Sequence, residues 1–181
     1  VEVKKTLNAL KEVLPEFDND PSMEKYNPES DKELEIYPAK KQDRLVGTAI
    51  KTFSQGFSGT ISLMIGFDKD NKIYKISVMS HTETPGLGSK MADDKFKRQF
   101  ESKDPISFKL KVEKDGGDVD AITAATVSSR AFCLAVDRAY KALQALSKAQ
   151  PQVDSATSPA TSPGNSQEKI IAQPDNSGGK K

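Results

Sequence analysis

The chain predicts an α+β fold: a mainly antiparallel sheet with packed helices, a long C-terminal helix and a disordered C-terminal tail. Three observations carry this reading. Thr60–Phe67 and Ile106–Val112 alternate apolar and polar residues with period two, as half-buried strands do. In Val127–Leu146, Phe132, Val136, Ala139/Tyr140, Leu143 and Leu146 recur as the apolar stripe of one helix. After Ala149 the composition turns abruptly to Pro, Ser, Thr, Gln, Asn and Gly, which cannot bury enough apolar surface to offset the entropy of ordering.

Taken in order, Val3, Leu7, Leu10 and Val13/Leu14 recur at helical spacing until Pro15, which predicts an amphipathic helix over Glu2–Leu14. Phe17–Asp31 is rich in Asn, Asp, Pro and Ser and reads as loop. Leu34–Tyr37 and Leu45–Phe53 are weak strands, and Ser54–Gly59 is a loop. Thr60–Phe67 places Ile61, Leu63, Ile65 and Phe67 on one face. Asp68–Lys72 reads as a hairpin connection, because Asp and Asn tolerate positive φ. A calcium loop fails there: its sixth position is Ile73 rather than Gly, and its twelfth is Met79 rather than Glu. Ile73–Ser80 follows as a strand with Tyr74, Ile76 and Val78 inward. Met91–Glu101 reads as a helix with Phe96 and Phe100 on one side. Ile106–Val112 is one more strand, with Lys109 and Lys111 on its solvated face. The last helix runs from Thr126 to Ser147. Three parts result: residues 1–31 leading in, the domain at 32–148, and the tail at 149–181.

Bulk properties exclude several function classes. A net charge of +1 over 181 residues gives no field for nucleic acid. Cys133 is the single cysteine, which excludes an intrachain disulfide or a multi-cysteine metal site, and it reads as a buried small hydrophobe. His81 is the single histidine, so a multi-histidine metal site lacks material, and a hydroxyl-nucleophile hydrolase is disfavoured because no Ser/Thr–His–acid set can be placed. No run of about eighteen apolar residues occurs, so the sequence as given holds no membrane span. It begins at Val1 without a charged and apolar leader, and reads as a piece of a longer protein.

Two stretches carry chemistry. Asp120-Ala121-Ile122-Thr123-Ala124-Ala125-Thr126-Val127-Ser128-Ser129 crowds small residues and hydroxyls where loop becomes helix. The first N–H groups of a helix lack intrahelical partners and its dipole presents a positive end, an arrangement that attracts phosphate. The plainer alternative is that Thr123 or Thr126 caps the helix. Glu83-Thr84-Pro85-Gly86-Leu87-Gly88-Ser89-Lys90 holds two glycines around a Pro-fixed turn. It is no dinucleotide fingerprint, because position 91 is Met91. It is no phosphate loop either, because positions 83 and 89 are Glu83 and Ser89. What remains is a rigid turn whose backbone can approach a flat ligand, or a mere strand-to-helix connection.

Together the two stretches resemble the FMN-binding domain family shared by the RnfG and NqrC proteins of ion-translocating oxidoreductase complexes, RnfG more than NqrC. The resemblance spans roughly Val1–Leu146. It implies FMN linked through its phosphate to Thr126, with Asp120, Ile122, Thr123, Ala124, Ala125 and Ser128 around the attachment point. It also implies that Glu83, Thr84, Pro85, Gly86, Leu87, Gly88 and Lys90 lie beside the ring, with Leu87 on its apolar part and Glu83 or Thr84 bonding its polar edge. Ala124 stands where many relatives carry Gly, and Ala suits a backbone of negative φ. A separate flavin transferase, using the FMN half of FAD and Mg2+, would make the bond, because a lone Thr hydroxyl is a poor nucleophile. The implied setting is the inner membrane, with a single N-terminal anchor outside this sequence, the domain on the extracytoplasmic side, and other subunits as electron partners. Without a dinucleotide site, direct NADH oxidation is not expected. The competing reading is a non-redox extracytoplasmic binding or scaffolding module in which Thr126 only caps a helix.

Overall fold

The computed structural model describes residues 1–149. Its sheet contains β1 (Glu35–Lys41), β2 (Arg44–Gln55), β3 (Thr60–Asp68) and β4 (Ile73–Ser80), antiparallel throughout and ordered β1-β2-β3-β4. Around it lie α1 (Glu2–Val13), α2 (Asp94–Lys97) and α3 (Thr126–Ala149). The expected fold class is the observed one. The expected disordered tail lies outside the described residues, apart from Ala149, which is the last residue of α3.

Each hairpin has a local cause. Between β1 and β2, Gln42 and Asp43 both take left-handed backbone (φ 51° and 59°), the pair of signs a two-residue hairpin turn needs. Between β3 and β4, Asn71 is left-handed (φ 61°), and the Asp68 Oδ1 accepts the N–H groups of Asp70 and Lys72. Pro38 sits in β1, an edge strand, where a missing donor costs least.

Both faces of the sheet are covered. One carries Ile36, Ile50, Ile61, Leu63, Ile65, Phe67 and Ile76 against α3 and the Phe96–Phe100 segment. The other packs Tyr37, Ala39, Ala49, Met64 and Met79 against Ala9, Leu10 and Val13 of α1. At the centre of the larger cluster Phe132 meets Phe96 and Phe100, each at 5.1 Å between ring centroids. Two side chains of β2 set α3 on the sheet. Thr52, fully buried, donates to the Ala135 carbonyl at 3.0 Å, and Ser54 donates to the Ala131 carbonyl.

Three expectations need correction. Ile106–Val112 is not a strand. Phe108 and Leu110 are half-buried and Val112 is buried, as the alternation required, but Ile106 is exposed. The backbone there is satisfied by turns rather than by a ladder. Asp104 accepts from Ile106 with its carboxylate and from Ser107 and Phe108 with its carbonyl, and Asp118 caps the Lys109 N–H at 2.7 Å. Tyr74 is not inward. In the β3–β4 register Gly66 faces Lys75 and Phe67 faces Ile73, so Tyr74 is the extra residue of a bulge and turns out to solvent. A second bulge leaves Met79 without a partner in the register, and its side chain packs on the α1 face. Finally, Met91–Glu101 is not one helix. A 3-10 turn spans Gly88–Ala92, α2 holds only four residues, and turns follow it. Phe96 and Phe100 are nevertheless buried on one side as expected, edge-to-face at 5.8 Å between centroids.

The segment ahead of β1 is tied down by Arg138 of α3. Its guanidinium bonds both Asp31 carboxylate oxygens (2.6 and 3.0 Å), meets Glu33 at 2.6 Å and lies 4.3 Å from the centre of the Phe53 ring. Because hydrogen bonds between charged groups contribute more than neutral ones, Arg138→Met is expected to cost about 2 kcal/mol, read as a lower urea midpoint.

Candidate functional site

The strand end of β4 runs through His81 into the loop whose Glu83, Thr84, Leu87 and Gly88 form one wall of a cleft. Residues Ala124–Ser128, where α3 begins, form the opposite wall, and Phe57 closes one side. The cleft holds about 410 Å³, within the roughly 300–1,000 Å³ usual for small-molecule sites. Its apolar rim is open: Phe57 is 72% exposed, Val127 47% and Leu87 41%.

Glu83 joins the walls. It is buried, at 4% exposure, yet it is a carboxylate. One oxygen accepts the Ser58 N–H at 2.8 Å, and the other accepts the Ser128 hydroxyl. Burial pushes the Glu83 carboxyl up. The Ser128 hydroxyl, the N–H groups of Ser58 and Phe57, and His81 outweigh that and hold it below its ordinary value. With both oxygens engaged inside the protein, Glu83 acts as a clamp on the Phe57 loop, its own loop and the start of α3. The Glu83 N–H in turn donates to the His81 Nδ1 at 3.2 Å.

The two loop glycines have different causes. Gly86 takes φ 75°, the left-handed value that a turn after Pro85 demands. At Gly88 a Cβ would come within 2.4 Å of the Ser128 Oγ and 2.7 Å of a Glu83 carboxylate oxygen. The close approach that Gly88 allows is therefore to the clamp itself.

Thr126 is half-buried, at the first position of α3. The earliest helical bond runs from the Ser129 N–H to the Ala125 carbonyl at 3.0 Å, so the N–H groups of Thr126, Val127 and Ser128 precede the ladder. Ser129 braces the approach to the helix: its buried hydroxyl accepts the Ile122 N–H and donates to the Ala125 carbonyl, both at 3.0 Å. Among the described residues, neither the Thr123 nor the Thr126 hydroxyl makes a hydrogen bond, so the capping alternative finds no support here.

Ala124 departs from expectation. It takes φ 60°, not a negative value. The Ala125 N–H bonds the Ile122 carbonyl at 2.9 Å, which closes a turn with Ala124 third, the position where a type II turn needs positive φ. A Cβ there costs about 1–2 kcal/mol, part of which glycine would lose again to chain entropy. Ala124→Gly should therefore stabilise the protein by about 0.5–1 kcal/mol, visible as a raised urea midpoint.

Of the residues singled out in the sequence, Glu83, Thr84, Leu87, Gly88, Ala124, Ala125, Thr126 and Ser128 meet in this cleft. Lys90, Asp120, Ile122 and Thr123 line a neighbouring cleft of about 240 Å³ on the α2 side, and Asp120, Ile122, Thr123 and Ala124 also meet Thr126 in a hollow of about 230 Å³ beside Glu113 and Lys114. Pro85 and Gly86 are exposed on the turn without lining either. Phe57 and Val127 were not anticipated. An aromatic between Gly56 and Gly59 was the available signal for Phe57. Cys133 is buried, and burial, with the Asp115 charge adding, pushes its thiol up to about 12, so it is no nucleophile.

The cleft suits a flavin mononucleotide. Phe57, Leu87 and Val127 offer apolar surface for a flat ring, while the unbonded N–H groups of α3 and the Thr126 hydroxyl offer a phosphate end. Comparison with known proteins agrees. The FMN-binding domain family matches residues 56–141. The chain is 36% identical over 145 residues to the G subunit of the ion-translocating oxidoreductase complex of Stutzerimonas stutzeri, covering 75% of this chain and 63% of that protein. It is 34% identical over 108 residues to the G subunit of the proton-translocating ferredoxin:NAD(+) oxidoreductase complex of Clostridium ljungdahlii, covering 58% and 57%. The chain thus spans less than two thirds of the length of either relative. The fold is similar to that of the C subunit of the Na(+)-translocating NADH-quinone reductase from Parabacteroides distasonis, with a TM-score of 0.55 and 17% identity over 83% of this chain and 86% of that one. Residues 56–141, which hold the cleft, the Glu83 clamp and Thr126, belong to the FMN-binding domain family.

Proposed function

We propose that this chain is the flavin-carrying part of an electron-transfer subunit in an Rnf-type ion-translocating oxidoreductase complex, with FMN joined by a phosphoester to Thr126. The observation that carries the reading is the placement of Thr126. Its hydroxyl is reachable, free of capping duty, and set in the same cleft as Thr84, Leu87 and Gly88. FMN supplies one- and two-electron redox chemistry when bound. This chain's residues hold and orient it: the start of α3 faces the phosphate, and the apolar rim takes the ring.

Attachment needs a partner. No base stands beside Thr126 in hydrogen-bond contact among the described residues, so a flavin transferase activates the hydroxyl. The Thr126 oxygen bonds to the FMN phosphorus of FAD, the pyrophosphate link breaks, AMP departs, and the hydroxyl proton passes to the transferase's base. Electron donor and acceptor are other subunits of the complex, and the isolated chain oxidises no NADH. No described helix is long and apolar enough to cross a membrane. We place the domain on the extracytoplasmic side of the inner membrane, tethered by an anchor N-terminal to this sequence. The test is intact-protein mass after coexpression with a flavin transferase. A gain of FMN less water that survives denaturation is expected, and no gain would leave only the non-redox module.

A further inference from the structure

We propose that Gln99 is a positioning residue for flavin attachment, holding the acceptor segment Asp120–Thr126 in the shape that the transferase takes. The proposal rests on the reading of Thr126 given above. Gln99 is half-buried, just past α2, and touches nothing of the Thr126 cleft. Its Oε1 accepts the Asp120 N–H at 2.8 Å, and its Nε2 donates to the Asp120 carbonyl at 3.1 Å. The same Nε2 reaches the Phe96 carbonyl at 3.3 Å, which anchors the amide to the aromatic cluster beneath. One side-chain amide thus pairs with both main-chain groups of a single residue, as a neighbouring strand would. Only Asn and Gln offer a neutral donor and acceptor side by side, and Gln has the longer reach.

At the other end of the segment Ser129 performs the matching task, holding the Ile122 N–H and the Ala125 carbonyl. Between them Asp120, Thr123 and Ala124 are exposed and Thr126 is half-buried, while Ala121 and Ile122 pack on the core and Ala125 is buried. The segment is therefore fixed through its backbone and its inward Ala121, Ile122 and Ala125, while the side chains of Asp120, Thr123 and Ala124 are offered to solvent. That is what a modifying enzyme requires of an acceptor, because ordering a loose segment costs about 1–2 kcal/mol per residue on binding. Gln99 contributes little to the core, which Phe96, Phe100 and Phe132 fill, so its effect falls on recognition.

The experiment uses the full chain as acceptor with the transferase, FAD and Mg2+, and follows intact mass while the acceptor concentration is varied. Gln99→Met keeps the length and removes both bonds. It is expected to raise KM for the acceptor about tenfold, the cost of re-ordering about one residue, with kcat within about twofold. Hydrogen exchange at the Asp120 amide should accelerate, while the amides of α3 keep their protection. Gln99→Glu, which keeps the acceptor for the Asp120 N–H, should fall between, and it carries the test should the Met variant not fold. An unchanged KM in these variants, against a labelled wild type, overturns this proposal and spares the reading of Thr126. A raised KM accompanied by lost protection in α3 also overturns it, since the role would then be merely structural. A wild type that gains no flavin mass overturns both.

Discussion

Thr126→Ala is expected to abolish covalent flavin completely while leaving the fold intact. The ester needs one oxygen, and alanine removes that oxygen and little else. Thr126 is only half-buried, and among the described residues its hydroxyl makes no hydrogen bond, so no internal partner is orphaned. Replacing a half-buried helix-start Thr without a hydrogen-bond partner by a better helix former changes stability by no more than about 0.5 kcal/mol. The urea midpoint of the variant should therefore coincide with that of wild type. Its mass after coexpression with transferase should lack FMN less water, and the denatured protein should be colourless. Thr126→Ser keeps the nucleophilic oxygen and should retain attachment at reduced rate. Thr123→Ala, three residues earlier on an exposed position, leaves the acceptor oxygen in place and should still gain the mass of FMN less water. A Thr126→Ala chain that still carries flavin after denaturation defeats the assignment.

How far the molecule could be foreseen from its residues depends on which force shapes each part. Helices and strands that bury one face announce themselves by period, so α1, β3 and α3 were legible nearly to their ends. Burial was legible even where hydrogen bonding was not. Phe108, Leu110 and Val112 do turn inward, yet no strand forms, because the carboxylates of Asp104 and Asp118 satisfy the backbone that a ladder would have used. The bulges at Tyr74 and Met79 were invisible for a related reason. A bulge is a property of two paired strands, and a single strand's pattern does not show where its partner slips. The turn at Gln42 and Asp43 escaped because the usual glycine signal is missing.

Within the site, both walls of the cleft were legible as motifs, but what joins them was not. Glu83 or Thr84 was expected to bond the ring's polar edge; the two Glu83 oxygens serve Ser58 and Ser128, residues 25 and 45 positions away, and Thr84 stays exposed in the cleft. Such a link carries no local pattern. The same holds for Gln99 and Asp120, 21 positions apart. Ala124 shows the reverse case, a local rule that failed: the turn closing onto α3 imposed a left-handed backbone on a residue that disfavours it.

Glu83→Ala is expected to cost about 3 kcal/mol, because it strips partners from the Ser58 N–H and the Ser128 hydroxyl and opens a hole beside Gly88. The cost falls on the joint between three elements, so the Phe57 loop and the 82–88 loop should lose hydrogen-exchange protection well before α3 does. Thr126 is untouched, so attachment should persist, and the mass gain separates a loosened cleft from a lost acceptor. Glu83→Gln isolates the charge. It keeps an acceptor for the Ser58 N–H and can donate to Ser128, losing only the charge-assisted share of the two bonds. The sign of the pH dependence follows from the direction of the shift. The folded carboxyl titrates below its unfolded value of about 4.3, so on acidification the unfolded chain takes up its proton first. The advantage of wild type over Glu83→Gln is therefore constant above about pH 5 and shrinks as the pH falls through the ordinary carboxylate range toward the lowered folded value. Urea midpoints of the two proteins measured from pH 7 downward should converge at the acid end. Curves that stay parallel throughout, or that diverge in acid, would show that the Glu83 charge is not what holds the walls of the cleft together.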